Sequence, residues 1–253
     1  MNNPDDKHDK NVPVILEDLT LRFNGRAALD SINLEFPEGT CTAVIGGSGS
    51  GKSLILKCAA GLKFPDEGRV IFKGTAISSM GEKQYQRMQA GTGFHFQDAA
   101  LWANKSLAEN LSMPLLTAHP EYTDKDLKDR IAESFASVGL NLDPGLRPAG
   151  VSMGQQKLVS FLRATITRPE ILFLDDPLSF MDHAGSRQLM AGIKEFRDAG
   201  ATIIIATHNR DLSEKMADRV AVLSEGRLAA AGGYQEVLSS QDPALMPLLR
   251  ELL

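Results

Sequence analysis

The chain has 253 residues, of which 43% are hydrophobic, so it can form one large α/β domain or a core with a smaller appended unit. Its formal net charge of −5 excludes a protein built mainly to coat nucleic acid, and no nucleic-acid partner is expected. The two cysteines, Cys41 and Cys58, form neither a CxxC nor a metal-binding pattern, and we interpret both as small buried apolar residues.

Residues 1–12 are mostly polar and lack the apolar stretch of a signal peptide. We predict a short disordered lead-in over 1–12, followed by a single domain over 13–253. The longest apolar runs, such as ATIIIAT at 201–207, are far below the ~18–20 residues that a membrane-spanning helix needs. We therefore expect a soluble chain that reaches a membrane only through a partner.

Short apolar segments separated by turn sequences such as FNGR and FPEGT follow the lead-in and are typical of β-strands. Among them, a helix is predicted to begin near Lys52 and to end at Gly61. The predicted strands of this part are 14–23, 31–36, 40–46 and 68–74.

From about Asp98 to Thr167 the pattern becomes helical, with charged faces and repeated prolines. Strands and helices then alternate in the order strand 170–176, helix 186–200, strand 201–208, helix 212–218 and a hairpin over 219–232. Near-continuous apolar strands in such an alternation imply a parallel sheet covered by helices on both faces. The helical block at about 98–167 is therefore predicted to be an insertion into this core.

The stretch GGSGSGKS at 46–53 matches the phosphate-binding pattern GxxxxGK[ST] at every fixed position. An apolar strand precedes it and a helix follows it, which a flexible Gly/Ser linker would not show. Its glycines let backbone N–H groups turn towards phosphate oxygens. Lys52 is expected to reach the β- and γ-phosphates, and the Ser53 hydroxyl to bind Mg²⁺. The predicted nucleotide-binding residues are Gly46, Gly47, Ser48, Gly49, Ser50, Gly51, Lys52, Ser53 and Leu54.

The strand ILFLDD at 171–176 ends in two carboxylates. Because ligands of doubly wound sheets lie at the carboxyl ends of the strands, we expect Asp175 to face Ser53 and to complete the Mg²⁺ site. The alternative is that Asp175 only caps the following turn. The guanine-reading pattern NKxD is absent, since NKSL at 104–107 fails at its fourth position, and ATP is the expected nucleotide.

Just upstream of this strand, VSMGQQ at 151–156 resembles the LSGGQ signature of the ATP-binding-cassette (ABC) ATPases. The resemblance runs nearly end to end and implies an α/β fold with a RecA-like P-loop NTPase core, an antiparallel β subdomain and an inserted α-helical subdomain. The other matching positions are Phe23 as the aromatic that stacks on adenine, Gln97 at the Q-loop that touches Mg²⁺ and the attacking water, LSFMD at 178–182 as the D-loop, and His208 as the switch histidine.

The resemblance also implies a head-to-tail dimer, in which the signature of one subunit closes over the ATP that the other subunit holds. On that basis Ser152, Gly154 and Gln155 bind the nucleotide of a second ABC ATPase subunit, identical or different. Met153 stands where the family has the first glycine of LSGGQ, and we expect it to weaken this closure modestly.

Asp176 occupies the position where the family generally places a catalytic glutamate. Aspartate keeps the charge but is one methylene shorter, and a misplacement near 1 Å can cost on the order of 100-fold in rate. Because positioning and charge neutralisation dominate phosphoryl transfer, we predict that Asp176 remains the base of a slow ATPase. His208 and Gln97 complete the predicted catalytic set. The alternative is a structural remnant at a site that only binds ATP.

The resemblance further implies integral membrane permease subunits as partners and a position on the cytoplasmic face of the inner membrane. A partner surface is predicted in 96–115, although its apolar residues would equally suit the insertion's own core: Leu101, Trp102, Leu107, Leu111 and Met113. The tail has leucines at helical spacing, suited either to a dimer or partner contact or to closing the core: Leu245, Leu248, Leu249 and Leu252.

Both stretches look most like the ATPases of Mce-associated lipid transporters of the Mla type, which implies phospholipid transport. Two alternatives belong to other classes. One is a soluble ABC ATPase of the iron–sulfur assembly type, and the other is a nucleotide-binding regulator with little hydrolysis.

Overall fold

The computed structural model of the protein describes residues 12–252, so the predicted lead-in lies outside the described residues except for Val12. Within residues 12–252, no helix is both long and apolar enough to span a bilayer. The strands are β1 (Val14–Phe23), β2 (Arg26–Phe36), β3 (Cys41–Gly46), β4 (Glu67–Phe72), β5 (Thr75–Ala76), β6 (Thr92–His95), β7 (Ile171–Asp175), β8 (Thr202–Ala206), β9 (Arg219–Ser224) and β10 (Arg227–Gly233). The helices are α1 (Lys52–Ala59), α2 (Glu82–Ala90), α3 (Leu107–Ala118), α4 (Asp124–Ser137), α5 (Met153–Thr165), α6 (His183–Asp198), α7 (Arg210–Met216), α8 (Tyr234–Leu238) and α9 (Leu245–Leu252).

The central sheet has six strands in the order β10-β9-β3-β8-β7-β6. Neighbouring strands from β9 to β6 are parallel, and β10 is an antiparallel edge strand. Strands β3, β7 and β8 are buried along their whole length, because helices cover both faces of the sheet. The predicted parallel core is confirmed, and the carboxyl ends of β3 and β7 meet at one edge.

A second sheet has four strands in the order β2-β1-β4-β5 and is antiparallel. A tight turn joins β1 to β2, and both of its central residues, Asn24 and Gly25, have positive φ angles of 49° and 78°. This turn geometry has the twist that a hairpin requires. The sheet and α1 share one apolar core with β7 and β8, so the predicted antiparallel β subdomain is confirmed.

The helical block begins at Leu107 rather than at about Asp98. Each of α3, α4 and α5 starts with a capping box, in which the side chains of the N-cap and N3 residues each accept from the other's backbone N–H. The pairs are Ser106 with Glu109, Thr123 with Asp126, and Ser152 with Gln155. Helix α5 packs both on α3 and on β6, so it joins the block to the core.

Two of the residues predicted for a partner surface belong to the core instead. Leu107 and Leu111 are fully buried and pack in one cluster with residues of α4 and α5. Their spacing of four places both on the inner face of α3. Trp102 and Met113 remain 43% and 42% exposed.

Helix α2 and strand β6 have no counterpart in the sequence-based prediction. In α2 only Met88 is buried, so an apolar periodicity is almost lacking. Strand β6 has only four residues, TGFH, and exists because it pairs with β7. Such short elements depend on their neighbours in space.

The C-terminal tail closes the core. Leu245 and Leu249 of α9 are buried in a cluster with Ile45 of β3 and Val222 of β9. The leucine spacing of the tail suited either a dimer or partner contact or closing of the core, and Leu245 and Leu249 close the core. The side chain of Leu252 lies outside the described part of the structure.

The cysteines agree with their interpretation as small apolar residues. Cys41 and Cys58 are both free and buried. Burial raises the pKa of the Cys41 thiol to about 12 and that of Cys58 to about 11, so both remain neutral thiols at neutral pH.

Gly93 in β6 allows α5 to lie close to the sheet. A Cβ added at Gly93 would lie 2.1 Å from the backbone oxygen of Ala164, so β6 or α5 would have to shift. We expect Gly93→Ala to lower the free energy of unfolding by about 1–3 kcal/mol, as measured by urea denaturation. Gly91→Ala is the matched control, since a Cβ there meets its nearest atom at 3.6 Å. Equal stabilities of the two variants would contradict the packing argument.

Candidate functional site

The phosphate-binding loop connects β3 to α1. Gly46 ends β3, and Gly51 is the N-cap of α1 with a φ angle of 104°. A Cβ at Gly46 would lie 2.4 Å from the Leu223 backbone oxygen, and one at Gly51 would lie 2.6 Å from Leu29 Cδ2. Only glycine fits at these two positions. A cavity of about 210 Å³ opens beside residues 47–50.

Lys52 lies across this loop. Its Nζ donates to the backbone oxygens of Gly46 and Gly47, both at 2.9 Å. Burial lowers the pKa of the Lys52 ammonium, while the Asp176 and Asp175 carboxylates act in the opposite direction. The cation therefore lies between the loop and two carboxylates, where an anionic phosphate would find a strong donor.

Ser53 and Asp175 meet at the edge of the sheet. Ser53 Oγ donates to Asp175 Oδ1 at 2.7 Å, and Asp175 is only 3% exposed. Burial raises the pKa of the Asp175 carboxyl, and the hydrogen bond from Ser53 acts against that shift. A hydroxyl and a carboxylate at this spacing are the oxygen ligands that Mg²⁺ prefers. The residues present therefore fit the metal.

Asp176 follows directly and has a left-handed backbone, with a φ angle of 42°. Its N–H donates to the backbone oxygen of Ala206 at 2.8 Å. Its carboxylate Oδ1 lies 3.3 Å from Nδ1 of His208, whose side chain is 69% exposed. The structure thus brings Asp175, Asp176 and His208 to the sheet edge that also carries Ser53.

Two residues beneath Asp176 were not identified from the sequence. Lys157 Nζ donates to the backbone oxygen of Asp176 at 2.8 Å and to Ser179 Oγ at 2.6 Å. The only sequence signal for Lys157 is that it stands one turn before the apolar Phe161 of α5. Ser179 lies inside the D-loop match but has no distinguishing mark of its own.

The signature residues lie on a different surface. Ser152 and Gln155 form the capping box of α5, and a cavity of about 420 Å³ is lined by Ser152, Met153, Gly154 and Gln155. This lining shares no residue with the cavity beside the P-loop. Met153 is 45% exposed. Within one chain, the described structure therefore does not bring the signature to the P-loop.

Gln97 and Phe23 lie at the ends of other strands. Gln97 is exposed and comes two residues after His95, which pairs with Leu174 in the central sheet. Asp176 comes two residues after Leu174, so Gln97 and Asp176 follow equivalent positions of the neighbouring strands β6 and β7.

Phe23 ends β1, is 47% exposed, and has the Lys63 Nζ 4.9 Å from its ring centroid. Stacking of Phe23 on adenine stays a prediction.

Comparison with known proteins decides the family. The family described as ABC transporter matches residues 29–179, which is more than half of the chain. The chain belongs to the ABC transporter family. The matched range contains the P-loop, the signature, Asp175 and Asp176, while His208 lies beyond it.

Among its relatives, the methionine import ATP-binding protein MetN of Mesorhizobium japonicum is 35% identical over 89% of this chain and 62% of the relative. The Fe(3+) ions import ATP-binding protein FbpC of Streptomyces avermitilis is 34% identical over 88% of this chain and 63% of the relative. The chain therefore spans less than two thirds of the length of these relatives.

Solved structures agree on the fold. A dimeric bacterial ABC transporter cassette matches with a TM-score of 0.81 at 24% identity, over 87% of this chain and 98% of that one. The protein cbiO1 from Clostridium perfringens, part of the ABC transporter complex cbiONQ, matches with a TM-score of 0.75 at 27% identity over 92% of both chains. The predicted fold class is confirmed. This is the ATPase domain of an ABC protein, with ATP and Mg²⁺ as its cofactors.

Removing the Lys52 ammonium tests the nucleotide site. A hydrogen bond to a charged group contributes about 1.5–3 kcal/mol, which corresponds to roughly tenfold or more in Kd. We expect Lys52→Ala to raise the Kd for MgATP at least about tenfold, as measured by titration calorimetry. Lys128→Ala, at an exposed position of α4, serves as the control. A Kd for Lys52→Ala within twofold of the unaltered protein would contradict the assignment.

Proposed function

We propose that the protein is the ATPase subunit of a membrane ABC transporter, in which two cassettes close around ATP and hydrolysis drives a transmembrane partner. The observation that carries this proposal is the division of the site within one chain. Ser53 and Asp175 meet at 2.7 Å, whereas the signature at the start of α5 lines a separate cavity. A second cassette, with the same or a related sequence, supplies the missing signature.

On the nucleotide side, Lys52 neutralises charge on the β- and γ-phosphates, and Ser53 and Asp175 would hold Mg²⁺. Mg²⁺ bound there would supply further charge neutralisation to the same phosphates. Support comes from the direct hydrogen bond between the two oxygen ligands and from the position of Lys52 beside them.

On the water side, the Asp176 carboxylate orients the attacking water and accepts its proton. His208 holds that carboxylate through the contact of 3.3 Å between Nδ1 and Oδ1. Gln97, exposed beyond the neighbouring strand, would contact the same water and help to hold Mg²⁺. This contact with His208 favours a catalytic role for Asp176 over a structural remnant, because it aims the carboxylate at the open edge of the site.

On the partner's side, Ser152 and Gly154 lie at the N-terminus of α5, where N–H groups and the helix dipole attract anions. In the dimer they receive the γ-phosphate that the other cassette holds, and Gln155 supports Ser152 through the capping box. Met153 is exposed beside them, so it points away from the body of its own chain and lies at the proposed interface.

Two substitutions at Asp176 test its role. Asp176→Asn keeps the shape but removes the base, and we expect kcat for ATP hydrolysis to fall on the order of 100-fold with little change in nucleotide affinity. Asp176→Glu restores the methylene that the family's glutamate has, and we expect kcat to rise. Single-turnover and steady-state assays on the full chain, in the complex isolated from cells, measure both. Unchanged turnover in Asp176→Asn would exclude a catalytic role.

The proposed permease contact lies on the segment after Gln97. Trp102 and Met113 are exposed, and the Arg163 guanidinium lies 5.0 Å from the centroid of the Trp102 ring. Exposed apolar residues near a nucleotide-sensing segment suit a partner that has to follow the state of the site. Such a contact would place the protein on the cytoplasmic face of the inner membrane.

Import of a small solute is the transport reaction best supported. The relatives MetN and FbpC are named for the import of methionine and of Fe(3+) ions. Neither supports phospholipid as the substrate, and the tail that suggested it contributes Leu245 and Leu249 to the core. A soluble ATPase of the iron–sulfur assembly type is not favoured, since both relatives are named as import ATP-binding proteins.

Removing the exposed apolar side chains tests the partner surface. Hot-spot side chains contribute about 2 kcal/mol or more, so we expect Trp102→Ala combined with Met113→Ala to lower the yield of co-purified membrane subunits at least about tenfold. Extraction in mild detergent followed by quantitative mass spectrometry measures this, with ATP binding unchanged. Leu146→Ala, at 37% exposure outside the segment 96–115, is the control. Equal recovery in both variants would rule the surface out.

A further inference from the structure

We propose that Lys157 is a positioning residue for ATP hydrolysis, which holds the backbone of Asp176 and thereby the place of its carboxylate. The inference rests on the catalytic role proposed for Asp176. Lys157 belongs to the signature helix α5 and contacts the backbone oxygen of Asp176, not its carboxylate.

The contact is a closed set of three hydrogen bonds. Lys157 Nζ lies 2.8 Å from the Asp176 backbone oxygen and 2.6 Å from Ser179 Oγ, and Ser179 Oγ lies 3.0 Å from the same backbone oxygen. The carbonyl of Asp176 thus accepts from a cation and from a hydroxyl at once, and also from the backbone N–H of Ser179 at 3.3 Å. Charge-assisted bonds of this kind are about twice as strong as neutral ones.

Asp176 is thereby fixed on both sides of its Cα. Its N–H donates to Ala206 of β8 at 2.8 Å, and its carbonyl accepts from Lys157. Between these two bonds the backbone has a φ angle of 42°, a left-handed conformation that is uncommon for a residue with a side chain, and the two hydrogen bonds hold it. The direction of the Cα–Cβ bond, and so the position of the carboxylate beside His208, follows from that conformation.

A shorter acid makes this fixation more important. An aspartate carboxylate is two side-chain torsions from the backbone, whereas a glutamate carboxylate is three, so Asp176 has less freedom to correct a displaced Cα. A displacement near 1 Å can cost on the order of 100-fold in rate. Lys157 keeps the backbone within that tolerance.

Burial of the Lys157 ammonium at this position is energetically unfavourable. Lys157 is fully buried, and burying a cation is unfavourable unless it is compensated. Burial lowers the pKa of Lys157 to about 8, and the carboxylates of Asp176, Asp175 and Asp98 oppose that shift. Its hydrogen-bond partners within residues 12–252 are a carbonyl and a hydroxyl. The charge of Lys157 therefore strengthens the hydrogen bond that holds the Asp176 backbone oxygen.

The central experiment replaces Lys157 with methionine, which keeps an unbranched apolar stem, is shorter by the terminal atom, and removes the charge. We expect Lys157→Met to fold, with a melting temperature at or above that of the unaltered chain, because the buried charge is gone. In the full chain, within the complex isolated from cells, kcat should fall tenfold to a hundredfold, on the order expected for a displacement near 1 Å. The KM and Kd for ATP should stay within threefold. Lys128→Met is the control for removal of an exposed lysine.

Two further variants separate positioning from folding. Ser179→Ala removes the hydroxyl that bonds both Lys157 and the carbonyl, so kcat should fall severalfold even if Lys157→Met is unstable. The double variant Lys157→Met with Asp176→Asn should be no more than about threefold slower than Asp176→Asn alone, because both changes act on one group. Multiplying losses in the double variant would contradict the inference.

The outcomes distinguish this inference from the proposed role of Asp176. If Asp176→Asn is slow while Lys157→Met and Ser179→Ala retain full kcat, Lys157 does not position Asp176 and the role of Asp176 stands. If Lys157→Met lowers stability and raises KM in parallel, Lys157 is a structural residue only. If Asp176→Asn retains full turnover, the role of Asp176 and the inference both fail.

Discussion

The hydrogen bond between Ser53 and Asp175 is the contact on which the candidate site depends. It joins residues 122 apart in the chain and exists because of the register of the central sheet. Val44 of β3 and Asp175 of β7 both pair with Ala206 of β8, so the end of β7 lies level with the strand that enters the P-loop. A slip of one residue would move Asp175 by about 3.3 Å and turn its neighbours to the opposite face.

Burying charged side chains at this edge of the sheet is energetically unfavourable. Asp175 is almost fully buried and Lys157 is fully buried. Burial favours the neutral form of each group, so it raises the pKa of the Asp175 carboxyl and lowers that of the Lys157 ammonium. Opposite charges and hydrogen bonds counteract both shifts. The stability that such a cluster lacks comes from the apolar strands around it, whose side chains are almost completely withdrawn from water.

Helix α5 links the two halves of the machinery in each chain. Its first turn carries the signature, and its second turn carries Lys157, which contacts the backbone of Asp176. Further along, Arg163 donates to the backbone oxygens of Ala99 and Ala100, just after Gln97. A displacement of α5 would therefore move the signature, which is proposed to bind the partner's nucleotide. It would also move the contacts to Asp176 and to the segment after Gln97, which lie at the chain's own nucleotide site.

Features that depend on neighbours along the chain could be predicted from the amino-acid sequence. The glycine pattern of 46–53, the apolar strands and the order of the signature, paired aspartates and His208 were enough to predict the fold class and most of the residues at the sheet edge. Which of several similar side chains is buried and which is exposed could not be predicted in this way, because burial depends on packing partners from distant segments of the chain. Leu107 and Leu111 became core while Trp102 stayed exposed, and Lys157 became a buried contact of Asp176 rather than a solvent-facing lysine. The same dependence hid β6, which is a strand only because β7 lies beside it.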